Sequence, residues 1–306
     1  MRKSIYLVLF VIISVFISVN CFAAVKVAET PGYATVSGNS IYYTSNGVLY
    51  KYNKTSKKRT TIGKGTFDDI SVKDNYIYYV KPANYIDADS YTYFEIYRMK
   101  TNGKNEKMLA YGRSPLIIGN WIYYIETKLY TDEEGTSTES TGYISKMKLN
   151  GNSKKHVKYI GKMEKLYKYG NKVLYSTEKY STGSLLSTDG KTYNLTNIIN
   201  RPISCFKELY DWNGTKSKIS YKIRNGNYLY YVKRIESSTT SVMVNNIYRM
   251  SINMKKEKMI YDSKGYNINR IYLLPKNIIA SMYSSGNGYK TVILKLKGKV
   301  EAELYD

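Results

Sequence analysis

A short phrase that recurs six times along the chain is the feature that most limits how it can fold. Five of the copies pair Gly or Asp with Asn and continue into a run of Ile, Leu, Val and Tyr. The copies are 36 to 56 residues apart and begin at Gly38, Asp74, Gly119, Gly170 and Gly226, with a degenerate sixth at Lys276. Gly, Asp and Asn tolerate the positive φ of tight turns, and β-branched and aromatic residues favour strands. Each phrase therefore predicts a turn followed by a strand.

Short strand-like segments flank each phrase. In the second repeat a third strand follows over residues 95–99, and Asn102-Gly103 predicts a hairpin turn into a fourth strand over residues 106–110. Four antiparallel strands repeated six times are typical of propeller blades. We therefore expect an all-β fold, a six-bladed β-propeller of four-stranded antiparallel blades over residues 34–306. A lead-in over residues 24–33 and an N-terminal signal helix precede it.

The first 23 residues have the pattern of a signal peptide. Arg2 and Lys3 are followed by an apolar run over residues 5–19, and Cys21-Phe22-Ala23 places small residues where cleavage before Ala24 is expected. An uncleaved anchor and a lipoprotein modified at Cys21 are the alternatives. We therefore expect an exported protein, extracellular or associated with the cell envelope. Cleavage would leave Cys205 as the one cysteine, which excludes an intrachain disulfide.

Tyrosine dominates the aromatic residues, with 36 Tyr against 6 Phe and 2 Trp. Neighbours such as Ile77 and Tyr78 point to opposite faces of a strand, and both faces of a propeller blade pack against other blades. We therefore interpret the tyrosines mainly as packing between blades. The alternative is a surface on which carbohydrate stacks.

The repeated phrases resemble a known family. Ile77-Tyr78-Tyr79 and the segment 96–104 resemble bacterial extracytoplasmic repeats related to the β-propeller of the low-density-lipoprotein-receptor-related proteins. The second strand of those blades carries a Tyr-Trp-Thr-Asp signature. Tyr42-Tyr43-Thr44-Ser45 is similar, although Tyr43 replaces the Trp and Ser45 replaces the Asp. The resemblance implies a six-bladed propeller of unknown function, and the missing Asp leaves calcium-dependent ligand binding without support.

The insertions fall on one face of the expected propeller. Tight turns join strands one to two and three to four, whereas the opposite face carries long insertions over residues 81–94, 126–141, 197–218 and 233–245. Long loops on a rigid scaffold often carry binding residues, and tolerated drift is the alternative. The candidate ligand-binding residues on this face are Tyr85, Asp87, Asp89, Tyr91, Tyr130, Asp132, Glu133, Glu134, Tyr210 and Trp212.

The net charge of +23 predicts attraction to polyanions. The alternative is compositional, because Lys, Tyr, Ile and Asn all have codons rich in A and T. The expected basic surface comprises Lys57, Lys58, Arg59, Lys154, Lys155, Lys255 and Lys256. We expect a monomer that binds a protein or glycan partner at the envelope and rests on anionic wall polymer or a membrane surface. Export makes a nucleic-acid partner unusual, so we expect none.

Residues for catalysis and metal binding are scarce. His156 is the one histidine and falls on an outer strand, so we expect no Ser-His-Asp or Cys-His site. The residue counts exclude a metal site built from His and Cys, and we expect no cofactor. Asp132-Glu133-Glu134 lacks the ligand spacing of a known calcium loop. The sequence therefore predicts a non-enzymatic binding or scaffold module. The alternative is a polysaccharide-active enzyme that uses carboxylates of the loop face.

Overall fold

We describe the protein from a computed structural model. It describes residues 32–84, 92–132, 135–163, 165–176, 184–189, 191–194, 209–210, 216–225, 227–236, 243–251 and 256–306. In these ranges the secondary structure is all β, with 24 strands and no helix. No helix there is long and apolar enough to cross a bilayer. The expected signal peptide over residues 1–23, and all of the lead-in except Gly32 and Tyr33, lie outside the described residues.

The first sheet is a four-stranded antiparallel meander, which we call unit one. Its strands are paired in the order of the chain. They are β1 (Ala34–Ser37), β2 (Ser40–Ser45), β3 (Val48–Asn53) and β4 (Arg59–Lys64). Gly38 (φ 54°) lies in the turn from β1 to β2, and Gly47 (φ 68°) lies in the turn from β2 to β3. Gly tolerates these angles, and the turn at Gly38 forms where the repeated phrase predicts it.

The second sheet has seven strands and contains two meanders that share one strand. The strands are β5 (Asp68–Lys73), β6 (Tyr76–Asn84), β7 (Thr92–Lys100), β8 (Lys107–Ile118), β9 (Trp121–Asp132), β10 (Gly135–Lys148) and β11 (Lys155–Tyr159). The first part of β8 pairs with β7 and the remainder with β9, with an irregularity between Arg113 and Leu116. Unit two is therefore β5–β8, and unit three is β8–β11.

Three further sheets complete the described chain. Unit four comprises β12 (Lys165–Tyr169), β13 (Lys172–Ser176), β14 (Ser184–Ser187) and β15 (Thr192–Asn194). Unit five comprises the two-residue β16 (Leu209–Tyr210), then β17 (Lys216–Asn225), β18 (Tyr228–Glu236), β19 (Met243–Ser251) and β20 (Lys258–Asp262). Unit six comprises β21 (Asn267–Leu273), β22 (Asn277–Ser284), β23 (Gly288–Lys295) and β24 (Val300–Tyr305). All pairings in these sheets are antiparallel, as the repeat predicts.

Most of the buried clusters in the described part of the chain lie between units. Tyr42 and Leu49 of unit one pack with Ile70 and Ile77 of unit two. Similar clusters join unit two to three, three to four and five to six. The fully buried tyrosines are Tyr43, Tyr52, Tyr78, Tyr79, Tyr124, Tyr230 and Tyr231. All of them except Tyr231 belong to clusters that join two units, which agrees with the interpretation of the tyrosines as packing between repeats.

Unit six also packs against unit one. Ala34, Ile41 and Tyr43 of unit one share a buried cluster with Ile279 and Ile293 of unit six. Ion pairs join the same two units, because Lys57 lies 3.3 Å from Glu301 and Arg59 lies 2.5 Å from Asp306. The first and last units are therefore in direct contact, although more than 200 residues separate them along the chain.

The insertion over residues 126–141 differs from the expected loop. It extends β9 and β10 as a paired hairpin, from Thr127↔Ser140 to Asp132↔Gly135. Shorter paired extensions occur at the start of the insertions in units two and five. The segment is rich in Thr, which favours strands, and Lys128 pairs with Glu139 at 2.7 Å directly across the ladder.

Candidate functional site

Charged side chains occupy one register position on the first strands of three consecutive units. The pairs are Asp68↔Val80, Arg113↔Ile125 and Lys165↔Ser176. Each partner directly follows the last Tyr of the repeated phrase. The first strands are themselves neighbours, since β5 contacts β8 and β8 contacts β12. The same position in the repeat thus brings charges of both signs into one region.

Asp69 is the most perturbed carboxyl of this region. It lies in the irregular segment between Asp68 and Ser71 with φ 49°, and Ser114 has φ 53° at the equivalent point of β8. The Ser114 backbone hydrogen-bonds the Asp69 carboxylate. Burial raises the pKa of Asp69 to about 6, against the opposing charge of Lys165 and with a further contribution from Asp68. Asp69 is therefore poised to gain or lose a proton near neutral pH.

Asp68, which forms a carboxyl pair with Asp69, also interacts with Tyr33, directly before β1, and with Arg270 of unit six. The Tyr33 hydroxyl hydrogen-bonds Asp68, and the Arg270 guanidinium lies 3.7 Å from the centre of the Tyr33 ring. Burial raises the pKa of Asp68, while its bond to Tyr33 and the charges of Arg270 and Lys165 oppose that shift. Burial, with Asp68 next, also raises the pKa of Tyr33. Together these contacts hold a phenol and a guanidinium beside two carboxyl groups.

Tyr272 closes one side of this region against the backbone. Its ring meets Tyr33 edge to face at 5.7 Å, and its hydroxyl lies where a Cβ on Gly32 would be, at 1.7 Å. A side chain at residue 32 would displace Tyr272. Burial raises the pKa of Tyr272 to about 12, so its hydroxyl remains protonated at neutral pH. The backbone of Gly32 is held in place because its oxygen accepts from the Ile70 N–H at 2.7 Å.

We call Tyr33, Asp68, Asp69, Lys165 and Arg270 the first-strand cluster. It combines two carboxyl groups of unit two, the cationic side chains of Lys165 in unit four and Arg270 in unit six, and the phenol of Tyr33, which directly precedes β1. It lies at the sheet end where long hairpins extend, because Asp68 pairs with Val80 and β6 continues beyond Val80. The cluster can donate and accept hydrogen bonds and offers a proton-exchanging carboxyl.

The structure describes few of the predicted ligand-binding residues. Tyr130 and Asp132 belong to the distal part of β9, and Tyr210 belongs to β16. Tyr85, Asp87, Asp89, Tyr91, Glu133, Glu134 and Trp212 lie outside the described residues. Sequence reasoning missed the first-strand cluster. The sequence does contain a signal for it. Asp68, Arg113 and Lys165 occupy matching positions in the strand before the repeated phrase, where a strand expected to be buried would not carry a charge.

Some residues of the expected basic surface are exposed, whereas others form ion pairs with carboxylates. Lys58, Lys154, Lys155 and Lys256 are exposed, and Lys255 lies outside the described residues. The side chain of Arg59 is 24% exposed and pairs with Asp306. Lys57 likewise pairs with Glu301. Both belong to the contact between units one and six, which local sequence does not reveal.

His156 lies on β11, the outer strand of unit three. Its Nε2 is 3.0 Å from Glu126, and its ring stacks on Tyr143 at 4.0 Å. Ser145 donates to the same Glu126 carboxylate at 3.0 Å. The acid thus lies between serine and histidine, which is not the order of a nucleophilic triad. Among the described residues, no three His, Cys, Asp or Glu side chains are grouped to hold a metal ion.

No protein-family model matches the chain, and no curated protein matches it in sequence. Solved structures do match. A chain of a nidogen/laminin complex is 9% identical with a TM-score of 0.45, over 88% of this chain and 94% of that one. The apo AtxE2 isopeptidase is 11% identical with a TM-score of 0.47, over 92% and 53% of the two chains. An acylaminoacyl peptidase of Pyrococcus horikoshii is 12% identical with a TM-score of 0.41, over 91% and 45%. The chain thus spans about half the length of each peptidase.

Proposed function

We propose that residues 34–306 form a six-bladed β-propeller, exported after removal of residues 1–23. The six copies of the phrase support this architecture, because each copy leads into a strand of a different unit: the second strand in five of the units and β18 in the five-stranded unit five. The buried clusters that join units one to two, two to three, three to four and five to six support a ring, and so does the packing of unit six on unit one. In this arrangement the first strands surround the propeller axis, and the first-strand cluster lies at one end of the axis.

We propose a non-enzymatic binding module at the bacterial cell envelope, with the first-strand cluster as the centre of its binding surface. The observation that carries this proposal is the raised pKa of Asp69. A carboxylate with its pKa raised to about 6, on a residue with φ 49°, costs stability at neutral pH. Ionisable side chains that lower the stability of the fold and lie beside opposite charges are typical of functional sites. A solvated ion pair would serve stability better.

The chemistry of the cluster suits a polyhydroxyl ligand. Carboxylates accept hydrogen bonds from sugar hydroxyls, and cationic side chains donate hydrogen bonds to them. Tyr33 supplies an aromatic ring and a hydroxyl. A glycan partner is therefore favoured over a protein partner. The surrounding hairpins of units two and three would line the approach.

A glycan screen with a matched pair of variants tests this function. The full chain is titrated with neutral, amino and acidic envelope oligosaccharides by calorimetry. Asp69→Asn is expected to weaken binding at least tenfold. Asp74→Asn, at an exposed turn residue that also has positive φ (50°), is the control and leaves affinity unchanged. Binding that resists Asp69→Asn, or no glycan binding at all, contradicts the proposal.

The second candidate is a polysaccharide-active enzyme. The adjacent carboxyls Asp68 and Asp69 favour it, because a carboxyl with a pKa of about 6 can act as a general acid near neutral pH. Release of reducing ends from envelope polysaccharide, lost in Asp69→Asn while binding persists, would identify the enzyme. Binding without turnover supports the binding module.

A further inference from the structure

Cations recur at one register position on β3, β7, β10 and β19, which belong to units one, two, three and five. The pairs are Tyr42↔Lys51, Tyr78↔Arg98, Tyr123↔Lys146 and Tyr230↔Arg249. Each cation lies over an aromatic ring of the second strand, at 4.6 Å for Arg98 over Tyr76 and 4.4 Å for Arg249 over Tyr228. The repeat thus places a positive charge at the same position in three successive units, one to three, and again in unit five.

Unit three concentrates this charge around Trp121. The ammonium groups of Lys146, Lys148 and Lys155 lie 4.8, 4.2 and 5.3 Å from the centre of its ring. No carboxylate of the described residues lies within 4.0 Å of these three lysines. Three like charges around one ring repel one another, and a bound anion would relieve that repulsion.

A cleft between units one and two continues the charged surface. It has a volume of about 400 Å³ and opens to solvent. Lys51 and Lys58 line it, together with Asn53, Thr60 and Asn102. No carboxylate is among its lining residues. The cleft therefore offers cations for an anion, and amides and hydroxyls for neutral alcohol groups.

The cleft and the lysines around Trp121 are the two anchors of this surface, and Arg98 lies between them. It belongs to unit two and donates to the backbone oxygen of Leu149 in unit three at 3.1 Å. The cleft and Trp121 both lie at the sheet end with the tight turns, because Asn102 is in the turn after β7 and Trp121 begins β9. This end is opposite to the first-strand cluster. We call Lys51, Lys58, Arg98, Lys146, Lys148 and Lys155 the basic track.

We propose that the basic track binds a linear polymer in which phosphodiesters alternate with neutral polyol or sugar groups. The anchors lie on three successive units, which suits an extended chain and not a single small anion. Membrane docking is less well matched. The exposed large apolar side chains among the described residues, Leu129, Tyr159, Tyr228, Met259, Tyr283, Val300 and Tyr305, all lie outside the track.

Nucleic acid also fits less well than a polyol phosphate. Single-stranded nucleic acid gains affinity by stacking its bases on open aromatic rings. The rings of Trp121 and Tyr76 are instead covered by the cations of the track. The proposal rests on this surface alone, so it stands whether or not the first-strand cluster binds a glycan.

The test compares two triple variants of equal charge. Lys146→Gln, Lys148→Gln and Lys155→Gln remove the cations around Trp121. The control carries Lys264→Gln, Lys297→Gln and Lys299→Gln, at exposed lysines of unit six and of the turn before it. Both are titrated with synthetic poly(glycerol phosphate) at several salt concentrations, after their melting temperatures are shown to match the parent protein.

The track variant is expected to lose at least tenfold in affinity, and its slope of log K against log salt should fall by about two. The control should lose less than threefold. Equal losses in both variants, or absence of salt-dependent binding, overturn the proposal. It is also overturned if anionic phospholipid vesicles, single-stranded DNA or polygalacturonate bind more tightly than the polyol phosphate at the same charge concentration.

Discussion

The guanidinium of Arg59 lies 2.5 Å from the carboxylate of Asp306 and joins the first unit to the last. Arg59 also donates to the Tyr305 backbone oxygen at 2.7 Å, and Ser45 donates to Asp306 at 2.7 Å. The Asp306 side chain is 5% exposed, so loss of its partner leaves a poorly solvated charge. We call these contacts of Asp306 and Tyr305 with Arg59 and Ser45 the clasp.

We expect Arg59→Ala to lower the free energy of unfolding by about 2 kcal/mol, because the broken bonds involve charged and partly buried groups. Lys64→Ala, at an exposed residue of the same strand, should change it by less than about 0.5 kcal/mol. Urea denaturation measures both. An equal effect of the two variants would contradict a role for the clasp in stability.

Asp69 should make the protein less stable as pH rises from about 4 to 6. Its folded pKa is raised to about 6 from an ordinary value of 3.8, so the native state binds the proton more tightly than the unfolded chain. The stabilisation by this proton is present below the unfolded value and is lost as pH rises through the folded value.

Asn at residue 69 can keep the hydrogen bond from Ser114 and tolerates positive φ. Asp69→Asn should therefore raise the free energy of unfolding at pH 7.5 by about 1 to 3 kcal/mol and change it little at pH 4. Chemical denaturation at several pH values measures this. A destabilised variant at pH 7.5 would refute the assignment of a charged, poorly solvated Asp69.

Tyr79 and Tyr231 occupy equivalent places in units two and five. Tyr79 donates to Glu106 and stacks on Tyr97 at 5.9 Å, and Tyr231 donates to Glu257 with the same stacking on Tyr248. Burial, followed by the neighbouring carboxylate, raises the pKa of both phenols well above their usual range.

Tyr79→Phe should cost about 1 kcal/mol through the lost hydrogen bond. Tyr52→Phe is the matched control, since its buried hydroxyl finds no partner among the described residues. That variant should be neutral or more stable, because removal of an unpaired buried hydroxyl relieves a desolvation cost. Thermal denaturation measures both variants. A larger loss of stability in Tyr52→Phe than in Tyr79→Phe would contradict this prediction.

Gly103 lies where unit two meets unit one. Its φ is 82°, and a Cβ there would be 2.3 Å from the Ile62 backbone oxygen. Gly38 also has positive φ (54°), but a Cβ there meets open space. Gly38→Ala should cost about 1 kcal/mol from backbone conformation alone. Gly103→Ala should cost at least twice as much, and equal costs would show that the two units do not pack as described.

The repeat alone was enough to predict the all-β fold, the antiparallel order of strands and the packing role of tyrosine. These properties depend on local chemistry. Asn and Asp permit the turns, alternation directs Ile77 and Tyr78 to opposite faces, and the same phrase imposes the same unit each time.

The sites depended on tertiary structure. Asp69 and Lys165 are nearly one hundred residues apart, and only the adjacency of the first strands brings their charges together. The pairing of Arg59 with Asp306 likewise follows from contact between the first and last units. Sequence periodicity specifies a position within each unit, but a pKa or an ion pair depends on which units become neighbours and how much water their packing removes.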